Sequence, residues 1–451
     1  MEQKLEKRYG LLTAIAMVVG IVIGSGVFFK AEKILKATGG DLPEGILSWV
    51  IGGVIMVSCA YVFAVLGTSY EKVNGLVDYA EAIVGKKYGY FIGWFMTLIY
   101  YPTLTSVLAW VSARYTGVLL GYNIVGPQVM TIACLYLIMA YALNALSPIL
   151  AGKFQVASTV IKLIPLILMA IFGTIAGLRN GILLENFTSG VLPGAQVSQH
   201  PLFVAVVATA FAYEGWIIAT SINAELKDAK KNLPIALVAG TLFVVLIYIL
   251  YYTGLAGAVT NATMMKGGET AAKLAFSNVF SKVGGTILFV FIVISCLGTL
   301  NGLMLGCVRG IYSLAVRSNN PRMNMYKTID MKTNMPTNSS VFGLLLCAIW
   351  LWYFYGANLI PKPWFGKFSF DSSELPIVTI YAMYIPIFIK MMGKEKELGF
   401  FKRYLAPLLA IVSCVFMIVA ACYSHGMGVV YYLIVFSAIM VLGVFFMDNK
   451  V

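Results

Sequence analysis

Two stretches of the 451-residue chain carry residue types suited to holding a charged solute in an apolar setting. The first reads Gly20-Ile21-Val22-Ile23-Gly24-Ser25-Gly26-Val27-Phe28. Glycine is about 1 kcal/mol worse than alanine in a helix interior, so three of them weaken a helix there. Where a helix breaks, its second half starts with free N–H groups and a positive dipole end, which suit an anion. Close packing through Gly20 and Gly24 is the competing reading of the same residues. The second stretch, Thr209-Ala210-Phe211-Ala212-Tyr213-Glu214-Gly215-Trp216, sets an acid and a glycine among aromatics. An ionisable group in such an apolar run is expensive and marks a site or a pathway by default. Lys162, in Val160-Ile161-Lys162-Leu163-Ile164-Pro165, sits too deep in its run to snorkel to water, and a buried ammonium needs a partner.

Other chemistries lack parts. Cys59, Cys134, Cys296, Cys307, Cys347, Cys414 and Cys422 all fall in apolar runs without CxxC spacing, and they read as small packing residues. The two histidines, His200 and His425, fall in short connecting segments. Axial haem pairs, a zinc site and a histidine-based catalytic dyad are therefore short of groups. No metal and no cofactor is expected.

The elements that must position these residues follow from hydropathy. With 60% hydrophobic and 11% charged residues, the chain has too little polar surface for a soluble globule. A membrane helix needs about 20 mostly apolar residues. Twelve such runs follow one another: 11–36, 45–67, 88–112, 126–145, 154–177, 199–222, 234–258, 283–314, 340–358, 375–392, 404–424 and 427–447. The expected class is an all-α membrane protein. The first run begins too early, and lacks the small-residue cleavage site, for a removed signal peptide. An even number of spans puts both termini on one side. That side collects 21 of the Lys and Arg residues, beginning with Lys4, Lys7 and Arg8, against 10 on the other. The bias makes the terminal side cytoplasmic, in the cell membrane. It also spreads the net charge of +13 over loops, so no nucleic-acid partner is expected.

Interruptions in the first and sixth spans, five spans apart, are the pattern of transporters built from inverted repeats. Amide ends suit a carboxylate and carbonyl ends suit a cation. An amino acid is the simplest solute that carries both.

The same residues resemble the amino acid–polyamine–organocation superfamily of transporters, nearest the L-type amino acid transporter branch and its bacterial homologues. Four segments carry the resemblance: Gly24-Ser25-Gly26-Val27-Phe28; Asn74-Gly75 through Tyr79, Glu81 and Gly85 to Gly93-Trp94; Phe211 to Trp216; and Asn301-Gly302 followed by Arg309 and Pro321. The resemblance implies a LeuT-like fold of 12 transmembrane helices: a 5+5 inverted repeat with helices 1 and 6 unwound mid-membrane, plus two peripheral helices. Residues 1–177 then form the first repeat, 178–392 the inverted second, and 393–451 the last two spans with the C-terminus.

For the site, the resemblance implies that the Ser25 and Gly26 amides take the substrate carboxylate, with Val22 and Gly24 nearby. The amine would meet carbonyls around Phe211, Ala212 and Tyr213, and Phe211 or Trp216 would shield it. Sodium-coupled relatives hold an ion between the first, fifth and eighth spans. Here Lys162 is expected to replace it, tying the Ile21 to Gly24 carbonyls to the eighth span near Ser295 or Thr299. The implied activity is sodium-independent exchange of amino acids by alternating access. A proton-coupled symporter of amino acids or amines is the alternative. A membrane enzyme or redox subunit lacks its ligands here, and a channel or scaffold leaves the paired breaks unexplained. The expected partners are the small-molecule amino acid and the lipid bilayer.

Two features depart from the branch. Glu214 stands where many L-type members carry a small residue, and it admits three roles: binding a cationic substrate, carrying a proton, or bracing the broken helix. Human-type light chains bond a glycoprotein through a Cys between the third and fourth spans. Gly121-Tyr122-Asn123-Ile124-Val125-Gly126 has none, so no covalent glycoprotein partner is expected. The segment 355–374, with Pro361, Pro363 and Trp364, is an external loop that either covers a vestibule or simply connects two spans.

Overall fold

The computed structural model describes residues 10–70, 75–218, 220 and 226–448. Asn74, positions 219, 221 and 222 of the expected sixth span, and Lys4, Lys7 and Arg8 lie outside the described residues.

The regular elements of the described residues are helices. A helix satisfies its own backbone polar groups, which is what a lipid interior demands. The first span is the bent pair Leu11–Val22 and Gly26–Ala37. Then come Leu42–Ser69, Lys86–Leu120, Pro127–Leu146, Pro148–Asn180, Pro201–Ile218, Ala229–Ala258, Glu269–Ala315, Thr337–Leu359, Leu375–Lys394, Phe401–His425 and Met427–Phe446. With the bent pair counted once, this makes twelve spans, numbered below in chain order.

Local chemistry sets several starts. Asp41 caps the second span by accepting the Glu44 N–H at 3.0 Å, with Pro43 in the first turn. Spans four, five and six each begin on a proline, where the missing N–H costs nothing. Glu269–Ala315 is too long for one crossing. Phe280 and Ser281 leave helical geometry inside it (Ser281 φ +66°), so the span proper follows the kink. Short helices Leu76–Ile83, Ile182–Thr188 and Asn261–Gly267 occupy connections that hydropathy leaves unmarked.

Packing gives the first span two environments. Leu11–Val22 lies on the seventh span, and Gly26–Ala37 on the sixth. The third and fifth spans flank the eighth. The fifth and seventh approach through glycines: a Cβ on Gly173 would stand 2.4 Å from the Gly254 carbonyl oxygen. The eleventh span packs on the second, sixth and tenth, whereas the twelfth buries only Tyr432 and Gly443.

Candidate functional site

The first span bends by 48° at its break. Ile23 is extended (φ −68°, ψ 106°) and carries the chain across. Beyond it, Phe29 is the first residue to bond back, donating to the Ser25 carbonyl at 2.8 Å. The amides of Gly26, Val27 and Phe28 therefore have no helical carbonyl to meet. In the sixth span the helix stops at Ala212, where the Tyr213 N–H donates to the Thr209 carbonyl at 3.0 Å. Among the described residues no backbone N–H reaches the carbonyls of Ala210, Phe211 and Ala212. Gly215 then turns the chain at φ +102°, a left-handed value that glycine adopts without steric cost. The two breaks touch: a Cβ on Gly26 would lie 2.3 Å from the Ala212 Cα. Glycine at this point lets an amide end approach a carbonyl end.

Beside the contact is a cavity of about 490 Å³, within the usual size of a small-molecule site. Val22, Gly24, Ser25 and Gly26 line it with Phe211, Glu214 and Gly215. Tyr100 of the third span, Gln155 and Thr159 of the fifth, and Thr299 and Gly302 of the eighth complete the wall. From the break the cavity follows Gly20, Met17 and Thr13 toward the face that holds residue 10. Among the described residues, Glu214 is the one Asp, Glu, Lys or Arg lining it. Tyr100 donates to its Oε1 at 2.5 Å, while Oε2 is buried without a hydrogen-bond partner among the described residues. Tyr100 closes a π turn, Met96–Tyr100, an irregularity frequent at functional positions. The Ser25 and Ser295 hydroxyls are likewise buried and unpartnered.

Comparison with known proteins places this geometry. The amino acid permease family profile matches residues 9–446. This chain belongs to the amino acid permease family. It is an amino acid transporter of the amino acid–polyamine–organocation superfamily, and not an enzyme. The Bacillus subtilis serine/threonine exchanger SteT is 29% identical over 422 residues, covering 92% of this chain and 91% of SteT. Human b(0,+)-type amino acid transporter 1 is 24% identical over 374 residues, covering 79% and 75%. The crystal structure of MhsT in complex with L-phenylalanine shares the fold, with a TM-score of 0.60 at 13% identity, over 93% of this chain and 99% of that one. The fold is LeuT-like.

Lys162 of the permease is fully buried and donates to the Gly20 carbonyl at 2.6 Å. Its partner falls one residue before the expected Ile21 to Gly24 stretch. The half-helix runs regularly to Val22, and Ile23 is the last N–H to bond back, onto Val19. Gly20 thus offers the first carbonyl left free. No hydrogen bond from Lys162 to Ser295 or Thr299 occurs among the described residues. Thr299 lines the cavity and donates to the Ser295 carbonyl at 3.2 Å.

The sixth-span aromatics divide. Phe211 faces the cavity. Tyr213 turns away, donating to the Trp49 carbonyl at 2.9 Å and stacking on Tyr248 at 5.3 Å. Trp216 is buried against Phe63 and Tyr384 and does not line the cavity. Ala212 sits against Gly26. Tyr100, Gln155 and Thr159 carry no signal in the sequence beyond their apolar runs. Asn301 of the family-like motif joins spans, accepting from Asn144 at 3.0 Å and donating to the Ala151 carbonyl at 3.1 Å. Glu81 pairs with Arg317 at 3.3 Å, and Asp78 does so at 2.7 Å.

On the other side of the break the permease is filled. Phe211 meets Phe29 edge-on, Phe29 meets Trp110, and Trp110 meets Phe354. Lys30 Nζ lies 5.1 Å from the Phe29 and Phe211 ring centres. It donates to Glu374 Oε1 at 2.7 Å, and Lys33 donates to the same oxygen at 2.5 Å and to Asp371 Oδ2 at 3.3 Å. Burial would raise both acids, but the Lys30 and Lys33 ammoniums hold Glu374 well below, and Asp371 below, the usual carboxylate range. The segment 355–374 brings these acids over the second half-helix. Tyr353 anchors it, donating to the Phe368 carbonyl at 2.6 Å, and Trp364 folds back onto Gly356.

Proposed function

We propose that the permease exchanges amino acids across the cell membrane by alternating access, without sodium, with both termini in the cytoplasm. The observation that carries this reading is the meeting of two half-helix ends at Gly26 and Ala212 beside the cavity. The Ser25 and Gly26 amides would receive the carboxylate, with Val22 and Gly24 beside them. The carbonyls around Phe211, Ala212 and Tyr213 would receive the ammonium, and Phe211 would cover it. Residues 1–177 and 178–392 would act as the two inverted repeats that rock against each other.

Lys162 supports sodium independence. Its ammonium already bonds a first-span carbonyl from the fifth span, where a bound cation would otherwise neutralise that carbonyl. The cavity runs toward the terminal face while the opposite side is packed, which suits an inward-facing state. SteT, named a serine/threonine exchanger, matches along nearly the whole chain and makes serine and threonine the first substrates to try.

The test is uptake of labelled L-serine by purified permease in liposomes, with and without unlabelled serine inside. Uptake should rise with internal serine and be the same in sodium and choline buffers. A requirement for sodium, or uptake indifferent to internal serine, would refute exchange as described. Glu214 favours proton-coupled symport as the second reading, because its Oε2 stands unpartnered in the cavity wall. Under that reading E214Q abolishes acceleration by an inward proton gradient. Under exchange there is no such acceleration to lose.

A further inference from the structure

Two neighbouring acids and a histidine distant from them in the chain meet on the face opposite the termini. His425 ends the eleventh span, Glu374 immediately precedes the tenth, and Asp371 lies in the loop before it. Their ligand atoms all lie within 4.8 Å of one another. Glu374 Oε2 and His425 Nε2 are 3.1 Å apart, and neither atom has another hydrogen-bond partner among the described residues. Two ligands about 2.1 Å from one tetrahedral ion stand about 3.4 Å apart, so this spacing is near that of two groups sharing a metal. Lys30 and Lys33 both bond Oε1, which leaves Oε2 directed at the imidazole.

We propose that Asp371, Glu374 and His425 form a zinc site on this face, outside the substrate cavity. Two carboxylates and an imidazole are zinc donors, and a fourth, open position falls to water. Calcium takes six or more oxygens and magnesium wants a near-ideal octahedron, and three convergent groups with one nitrogen supply neither. The Glu374 side chain is fully buried, while Asp371 is 23% exposed and gives an ion a way in. Asp371 Oδ2 already bonds Lys33, and Oδ1 accepts from Ser373, so Asp371 joins by a small shift or through water. The two ammoniums balance the two carboxylates, so the site binds zinc more weakly than unpaired carboxylates would. Its occupant would bridge the tenth and eleventh spans beside the second half of the broken helix.

Zinc titration of the purified full-length permease against a chelating dye tests this directly, with cobalt absorption as a second readout. The expected result is one zinc per chain and the visible spectrum of a four-coordinate cobalt site. H425Q and D371N should each weaken zinc binding roughly tenfold or more, without changing the metal-free melting temperature by more than a few degrees. Absence of zinc binding would overturn the proposal. Binding retained by both variants would also overturn it, and would place the metal on groups such as His200 or the exposed Cys134 and Cys422. No substrate enters the measurement, so a negative result leaves the transport reading standing.

Discussion

Gly26 is the residue on which the most geometry converges. Its missing side chain brings the first-turn amides of one half-helix against Ala212, where the carbonyls of the other half-helix end. Because the contact involves backbone, an added methyl group cannot be relieved by a rotamer change. G26A should therefore abolish serine uptake in liposomes while the protein still reaches the membrane. A variant with wild-type uptake would remove the paired half-helix ends from the substrate site. Lys162 makes a different prediction. K162A leaves the buried Gly20 carbonyl without its donor, which costs about 1–3 kcal/mol for an unsatisfied buried group. Thermal unfolding in detergent should register that loss as a lower melting temperature, and uptake should fall with it.

These two residues also show how far the sequence carries at this scale. Glycines and a lone ammonium in apolar runs announce a break and a buried pair from residue type alone. The carbonyl that Lys162 reaches depends on where the helix stops: Ile23 is the last N–H to bond back, which leaves the Gly20 carbonyl free, one residue before the expected stretch. Tyr213 and Trp216 were legible as aromatics at a break but not in direction. Tyr213 turns to the Trp49 carbonyl, and Trp216 follows the left-handed turn at Gly215; no spacing rule encodes either.

At the scale of elements, the spans were legible because lipid imposes length and apolarity on each one. The short helices Leu76–Ile83 and Asn261–Gly267 were not, since neither is long enough to show a period. The histidine and the two acids on the face opposite the termini were invisible as a group for another reason. Some fifty residues and two spans separate Glu374 from His425, and tertiary packing alone joins them. The same packing ties the second half-helix to the head of the tenth span through Lys30, Lys33 and Glu374. Removing one partner of a buried, bonded pair costs about 3–5 kcal/mol when the remaining charge is left alone, and less here because Lys33 still bonds Glu374. K30M should thus loosen Gly26–Ala37 from Glu374. The expected readout is faster modification of a cysteine placed at Phe29, by an impermeant thiol reagent added from the face opposite the termini. Unchanged labelling would mean that Lys33–Glu374 and the Phe28–Tyr251 contact hold the half-helix without the Lys30 ion pair.

Across the whole molecule, the strongest asymmetry is electrostatic. Hydropathy assigns 21 Lys and Arg to the terminal side and 10 to the other, and such a bias orients helical membrane proteins during insertion. The fold turns that count into addresses. Met331, 96% exposed, lies in the connection between the eighth and ninth spans on the terminal side. Ser189 lies in the connection between the fifth and sixth, on the opposite side. Cys134 and Cys422 are the exposed native thiols, so both are first replaced by serine. In intact cells an impermeant maleimide should then label S189C at once and M331C only after permeabilisation. The reverse pattern would put the cavity mouth, which follows Met17 and Thr13 toward the terminal side, outside the cell. The filled side with its Lys30–Glu374 contact would then face the cytoplasm, and the direction assigned to every transport step would invert.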